Sequence, residues 1–118
     1  MPVLLVTSNA EIDGSTLDRL AEIVGGAIDA PPSRVMVLSL RAEARMAGTS
    51  DPAVLVELRC VREIGLEKKR NLVESVVNEV AHSLAVEETR IYVQIESHDA
   101  VALWSSAGGL VMHAGPRL

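Results

Sequence analysis

Ser33-Arg34-Val35-Met36-Val37-Leu38-Ser39-Leu40 and Thr89-Arg90-Ile91-Tyr92-Val93-Gln94-Ile95-Glu96 parallel each other position by position. Val35 to Leu40 reads as a strand, and so does Ile91 to Ile95, with Ile91, Val93 and Ile95 on one side and Tyr92, Gln94 and Glu96 on the other. Working outward, each phrase is preceded by a strand and an amphipathic helix. In the first half Val3 to Val6 is the strand, and Asp13-Gly14-Ser15 is a turn with Ser15 as expected N-cap and Asp18 three residues on. Leu17, Leu20, Ala21, Val24, Ala27 and Ile28 then recur at helical spacing until Pro31-Pro32 stops the helix. In the second half Val54, Val56 and Leu58 alternate with Leu55, Glu57 and Arg59 in a strand ending near Cys60. Ile64-Gly65 turns into a helix whose apolar face is Leu72, Val73, Val76, Val77, Val80 and Leu84.

This is one strand-helix-strand unit used twice, which predicts an α/β (α+β) fold with a four-stranded mixed sheet. Each crossover contains a helix, so the strands within a unit should be parallel. Two helices cannot cover both faces of such a sheet; one face is left for another subunit. A Gly/Ser/Pro segment with Gly48, Ser50 and Pro52 joins the halves, and the Gly-rich tail after Trp104 should add a short strand near Leu110-Val111. Residues 1–118 are expected to form a single domain, with 113–118 a loose tail.

The core has to be aliphatic: 48% of residues are hydrophobic, yet the chain has one Trp, one Tyr and no Phe. Small cores of this kind are often completed by subunit contacts. A formal net charge of -5 argues against nucleic acid or an anionic membrane as main partner. No apolar stretch approaches a membrane span and the N-terminus lacks the parts of a signal peptide, so a cytoplasmic protein is expected. The single cysteine, Cys60, rules out an intrachain disulfide and a Cys-based metal site, and reads as a small buried hydrophobe.

Motifs for phosphate loops, nucleophile-elbow serines and HExxH or Cys/His metal ligands are missing. His82, His98 and His113 lie far apart in sequence, and His82 reads as a solvated histidine near a helix end. Two features with chemical potential remain. Tyr92 and Gln94, two apart on a strand, project together to the face opposite Ile91, Val93 and Ile95, where they either line a pocket or face solvent. Pro2 stands between Met1 and the apolar run Val3-Leu4-Leu5-Val6. Removal of Met1 would leave a secondary amine anchored to a buried strand, and desolvation would favour its neutral, basic form.

Over about residues 2 to 110 the chain resembles the tautomerase superfamily, in its macrophage migration inhibitory factor and D-dopachrome tautomerase branch. The resemblance is carried by Met1-Pro2, Pro31-Pro32, Met46 followed by Gly48, Ser50 and Pro52, Ile64-Gly65, Arg70, Arg90-Ile91-Tyr92 and Trp104, in this order and spacing. It implies a homotrimer of the duplicated unit, working without a cofactor on a small enolisable keto acid such as phenylpyruvate. Pro2 would be the general base of a keto-enol isomerase. Tyr92 matches an active-site tyrosine contributed by a neighbouring subunit, and Gln94 stands where the family often has an asparagine. Val61 falls at a loop position whose backbone amide binds substrate, and Trp104 at a hydrophobic wall.

Departures from the pattern bear on substrate binding. Ala30 occupies the place of the family's carboxylate-holding lysine, and Arg34 and Arg59, expected on strands near the pocket mouth, are the candidate replacements. Ala53-Val54-Leu55-Val56 replaces the Cys-x-x-Cys of one family member, so thiol-disulfide activity is not supported, and Leu110 replaces an aromatic residue. Two rival readings follow: a non-catalytic trimeric signalling or scaffold protein that has lost its anchor, and a hydratase-type enzyme acting on an unsaturated acid with arginines beside the proline.

Overall fold

The structure, a computed structural model, describes residues 2–60 and 63–97 together with two short strands in the tail. Strand β1 (Val3–Ser8), helix α1 (Gly14–Ile28) and strand β2 (Met36–Arg41) form the first unit; β3 (Val54–Cys60), α2 (Leu66–Leu84) and β4 (Ile91–Ser97) form the second. A 3-10 turn precedes the last strand of each unit, Pro32–Arg34 before β2 and Glu88–Arg90 before β4. The repeated phrases are therefore repeated structure. In the tail β5 (Trp104–Ser105) pairs antiparallel with β6 (Gly109–Leu110), one residue earlier than the strand expected near Leu110-Val111. The loose tail expected at 113–118 lies outside the described residues, as do His98 and His113.

The sheet has the order β2-β1-β3-β4. Strands within a unit are parallel, as the helical crossovers require, and the units meet through the antiparallel β1–β3 pair at the centre. Alternation decides which side is core. Leu4 and Val6 of β1, and Val54, Val56 and Leu58 of β3, are buried under the helices, while Leu55, Glu57 and Arg59 point the other way. Leu20 and Val24 of α1, with Val76 and Val80 of α2, close this layer at 0–1% exposure. Each such side chain contributes about 1.5–3 kcal/mol. Cys60 is buried among them, as a small hydrophobe should be.

Strand β4 runs past Ile95 to Ser97 and β2 past Leu40 to Arg41, and three further boundaries differ from the sequence reading for a visible local reason. Helix α1 is capped by Asp13, not Ser15: the Asp13 carboxylate accepts from the Thr16 amide at 2.8 Å, and Ser15 donates its hydroxyl to the same oxygen at 3.0 Å. Hydrogen bonding from Thr16, then Ser15, holds the Asp13 carboxyl below its ordinary range. Strand β2 starts at Met36 because the Val35 amide closes the preceding turn on the Pro32 carbonyl at 3.0 Å. Strand β1 runs past Val6 to Ser8, whose buried hydroxyl donates to the Ala53 carbonyl at 2.7 Å.

The helices are tied to each other across their outer surfaces. Arg19 of α1 reaches Glu79 at 3.0 Å and the Ser83 hydroxyl at 3.1 Å, and Ser83 donates to Glu79. The Ser83 bond, more than Arg19, holds the Glu79 carboxyl low. His82, in the last turn of α2, is exposed, in line with a solvated histidine. Among the described residues no helix is long and apolar enough to cross a membrane.

Candidate functional site

Both helices pack on one face of the sheet, and no other described element covers the opposite, bare face. Register arranges its side chains in rows: Met36, Val3, Arg59 and Glu96; then Leu38, Leu5, Glu57 and Gln94; then Leu40, Thr7, Leu55 and Tyr92. The β1–β2 half of this face is almost wholly apolar, and Met36, Leu38 and Leu40 are each more than two-fifths exposed. Three apolar side chains on an edge strand facing water are an unfinished core. The β3–β4 half is mostly polar.

Pro2 lies one residue before β1 and is buried, in step with Leu4, Val6 and Ser8 of that strand. Its carbonyl accepts from the Met36 amide at 3.0 Å, which extends the β1–β2 pairing to the first residue of the run. Continuing the register by one step sets Pro2 opposite Val35 on one side and Cys60 on the other, both buried. An apolar shell of this kind raises the cost of charging an amine.

Tyr92 and Gln94 share the bare face, as their spacing predicts, and Tyr92 is 57% exposed. The structure does not bring Tyr92 to Pro2 within one chain. Tyr92 pairs with Leu55 and Leu55 with Thr7, five residues along β1 from Pro2. That is roughly 17 Å along the strand direction, plus two strand spacings of about 4.8 Å across. No rotamer spans such a gap. Gln94 lies nearer, in the row of Leu5, and donates its amide to Glu96 at 2.9 Å.

The two candidate arginines, equivalent in sequence terms, differ in structure. Arg59 is on β3, as expected, but lies 3.3 Å from Glu57 and 3.9 Å from Glu96, so its charge is already engaged. Arg34 is not on a strand: Pro31 and Pro32 impose a 3-10 turn, and the Arg34 amide donates to the Pro31 carbonyl at 2.9 Å. Its side chain is exposed, immediately before Val35 at the Pro2 end of the sheet, and forms no ion pair with any described residue. Ala30 is half-buried in the turn that follows α1. Val61 lies outside the described residues, and Trp104 begins β5.

One residue escaped the sequence reading. Arg90, the counterpart of Arg34 in the second unit, is 8% exposed and donates to three backbone carbonyls of the β2–β3 loop: Pro52 at 3.0 Å, Met46 at 3.0 Å and Asp51 at 2.8 Å. Nothing in the pattern of a lone arginine before a strand distinguishes a buried one from an exposed one. A cavity of about 290 Å³ opens between α1 and α2, lined by Ile23, Gly26, Ala27, Lys68, Asn71, Leu72 and Ser75. None of the predicted site residues lines it.

Comparison with known proteins bears on this arrangement. A family model described as macrophage migration inhibitory factor matches residues 1–110. Among solved structures, macrophage migration inhibitory factor from Oncomelania hupensis superposes with a TM-score of 0.85 at 21% identity, over 95% of this chain and 83% of the other. The factor from Trichinella spiralis gives 0.82 at 16% identity, over 93% and 99%. A protein named Pt0534, crystallised after inactivation by 2-oxo-3-pentynoate, gives 0.80 at 14% identity, over 92% and 94%. No curated protein matches the chain by sequence.

Proposed function

The chain belongs to the macrophage migration inhibitory factor family, and from that membership we propose that it is a cofactor-independent keto-enol tautomerase with Pro2 as its base. The observation that carries this reading is the burial of Pro2 at the head of a central strand, between Val35 and Cys60. Once Met1 is removed, the proline nitrogen is a secondary amine fixed in direction and poorly solvated, and so held toward the neutral form. It takes a proton from the enol oxygen, or from the carbon beside the carbonyl, and returns it to the other atom. One group serves as base and then acid.

The remaining groups come from a second copy of the chain. With Pro2 and Tyr92 at opposite ends of one sheet, a pocket containing both requires a neighbouring subunit, and the exposed Met36, Leu38 and Leu40 offer the apolar surface to hold it. A closed homotrimer is the assembly proposed. Tyr92 of the neighbour donates to the oxygen on which charge develops, with Gln94 beside it. The backbone amide at Val61 and the Trp104 wall complete the pocket.

Arg34 replaces the missing lysine. Its guanidinium forms no ion pair with any described residue, and Arg34 comes in the chain immediately before Val35, the residue opposite Pro2, whereas Arg59 is held by two carboxylates. The substrate class is a small 2-oxo acid, in keeping with the inactivation of a protein of the same fold by 2-oxo-3-pentynoate. The test is enol-to-keto conversion of phenylpyruvate followed in Arg34→Ala and Arg59→Ala. Loss of a charge-assisted carboxylate bond should raise KM about 10- to 100-fold in Arg34→Ala and leave Arg59→Ala within about threefold of the parent. The reverse ranking would transfer the anchor to Arg59. Absence of conversion with any keto acid would favour the non-catalytic reading, which Ala30 also supports.

A further inference from the structure

Arg90 holds an unusual position for a buried cation. No carboxylate among the described residues pairs with it; its Nε, Nη1 and Nη2 each donate to a backbone carbonyl of the same loop. The planar fork is thereby fixed in three directions. Val54 and Ile91 form the first rung of the β3–β4 ladder; Arg90 stands immediately outside it and Pro52 two residues outside, and their bond continues the pairing through a side chain.

The same loop is held from its other side. Asn9, just past β1, accepts from the Ala53 amide at 3.0 Å and donates to the carbonyls of Ser50 at 3.0 Å and Asp51 at 3.2 Å. Within the loop, Met46 and Thr49 form an isolated bridge around Ala47 and Gly48, both at positive φ. A turn this tight, gripped from two strands, is a rigid block against which β4 begins.

Tyr92 sits on the second rung, opposite Leu55. Its phenol forms no hydrogen bond with any described residue, so the height and direction at which it leaves the sheet depend on how the start of β4 is held. We propose that Arg90 is a positioning residue for Tyr92: by fixing the β2–β3 loop to the chain immediately before β4, it sets where the phenol reaches into the neighbouring subunit's pocket. This rests on Tyr92 acting as a pocket donor. A displacement of about 1 Å at a catalytic group can lower the rate about 100-fold.

Tyr92 is the only tyrosine in the chain, so 3-fluorotyrosine labelling gives one fluorine resonance reporting on this side chain alone. Arg90→Lys keeps the charge but cannot reach three carbonyls. It should shift and broaden that resonance and lower kcat about 10- to 100-fold with little change in KM. Arg90→Lys combined with Tyr92→Phe should be no slower than Tyr92→Phe alone. Asn9→Ala, which loosens the loop from its other side, should broaden the resonance likewise if Arg90→Lys does not fold. An unchanged resonance in the folded variant, or a kcat loss that adds in full to that of Tyr92→Phe, would overturn the proposal. Absence of turnover in the parent protein would remove the tautomerase reading, and the fluorine signal would still decide whether Arg90 fixes Tyr92.

Discussion

Pro2→Ala lowers kcat/KM for phenylpyruvate enol-keto conversion by a factor of about 10² to 10⁴, the usual contribution of a positioned general base. The variant retains an amine at the same place in the sequence, and its carbonyl can still accept from the Met36 amide at 3.0 Å. What changes is the nitrogen. A primary amine lacks the ring that fixes φ and directs the lone pair, and a freely rotating terminus is better solvated. Its ordinary pKa lies near 8, so at neutral pH it is mostly protonated and cannot accept a proton. Protein that retains Met1 should be as inactive as Pro2→Ala, because an amide nitrogen has no basic lone pair. Rates are compared after intact mass has established the first residue of each preparation, and equal rates for parent and variant would exclude Pro2 as the base.

Gly25→Ala and Gly26→Ala, adjacent substitutions in α1, change stability in opposite directions. A Cβ on Gly25 would lie 2.6 Å from the Ala30 carbonyl oxygen and 3.5 Å from the Pro32 nitrogen. Neither atom can yield as a flexible side chain would. The Ala30 amide donates to the Gly25 carbonyl at 2.9 Å, so the turn is wrapped directly onto the helix. Displacing it costs about 1–3 kcal/mol, more than alanine's helix preference returns. On Gly26 a Cβ meets nothing within 4 Å, and alanine there should add about 0.5–1 kcal/mol. Denaturant midpoints measure both. The effect also reaches the site, since the displaced turn leads through Pro31 and Pro32 to Arg34. Gly25→Ala should therefore raise KM as well, and stabilisation by both alanines would show that the turn does not press on Gly25.

The duplicated unit was legible because strand alternation and helical spacing each appear twice, at corresponding places. Parallel pairing within units and the burial of Val54, Val56 and Leu58 followed from the pattern. The cap of α1 did not, since Asp13 and Ser15 are both good capping residues and only geometry chooses between them. The apolar bare face was only partly readable. Val35 and Val37 alternate with Met36, Leu38 and Leu40, so both sides of β2 look like core, although the second set is exposed in the chain alone.

At the site, spacing put Tyr92 and Gln94 on one face, and the structure agrees. Sequence could not separate Arg34 from Arg59, because the difference arises from pairing: register sets Glu96 beside Arg59. Nor could it reveal the Arg90 contacts, whose acceptors are main-chain carbonyls about 40 residues away and carry no side-chain signature.

The proposed site is divided between copies, with Pro2 from one subunit and Tyr92 from the next. Mixing Pro2→Ala and Tyr92→Phe proteins, each of much reduced activity alone, under conditions that exchange subunits tests this division directly. In a randomly mixed closed ring about a quarter of the sites pair an intact Pro2 with a neighbour's intact Tyr92, so about a quarter of the parent activity should return. Recovery of no activity above the sum of the two variants, with mixed assemblies present by native mass, would contradict it.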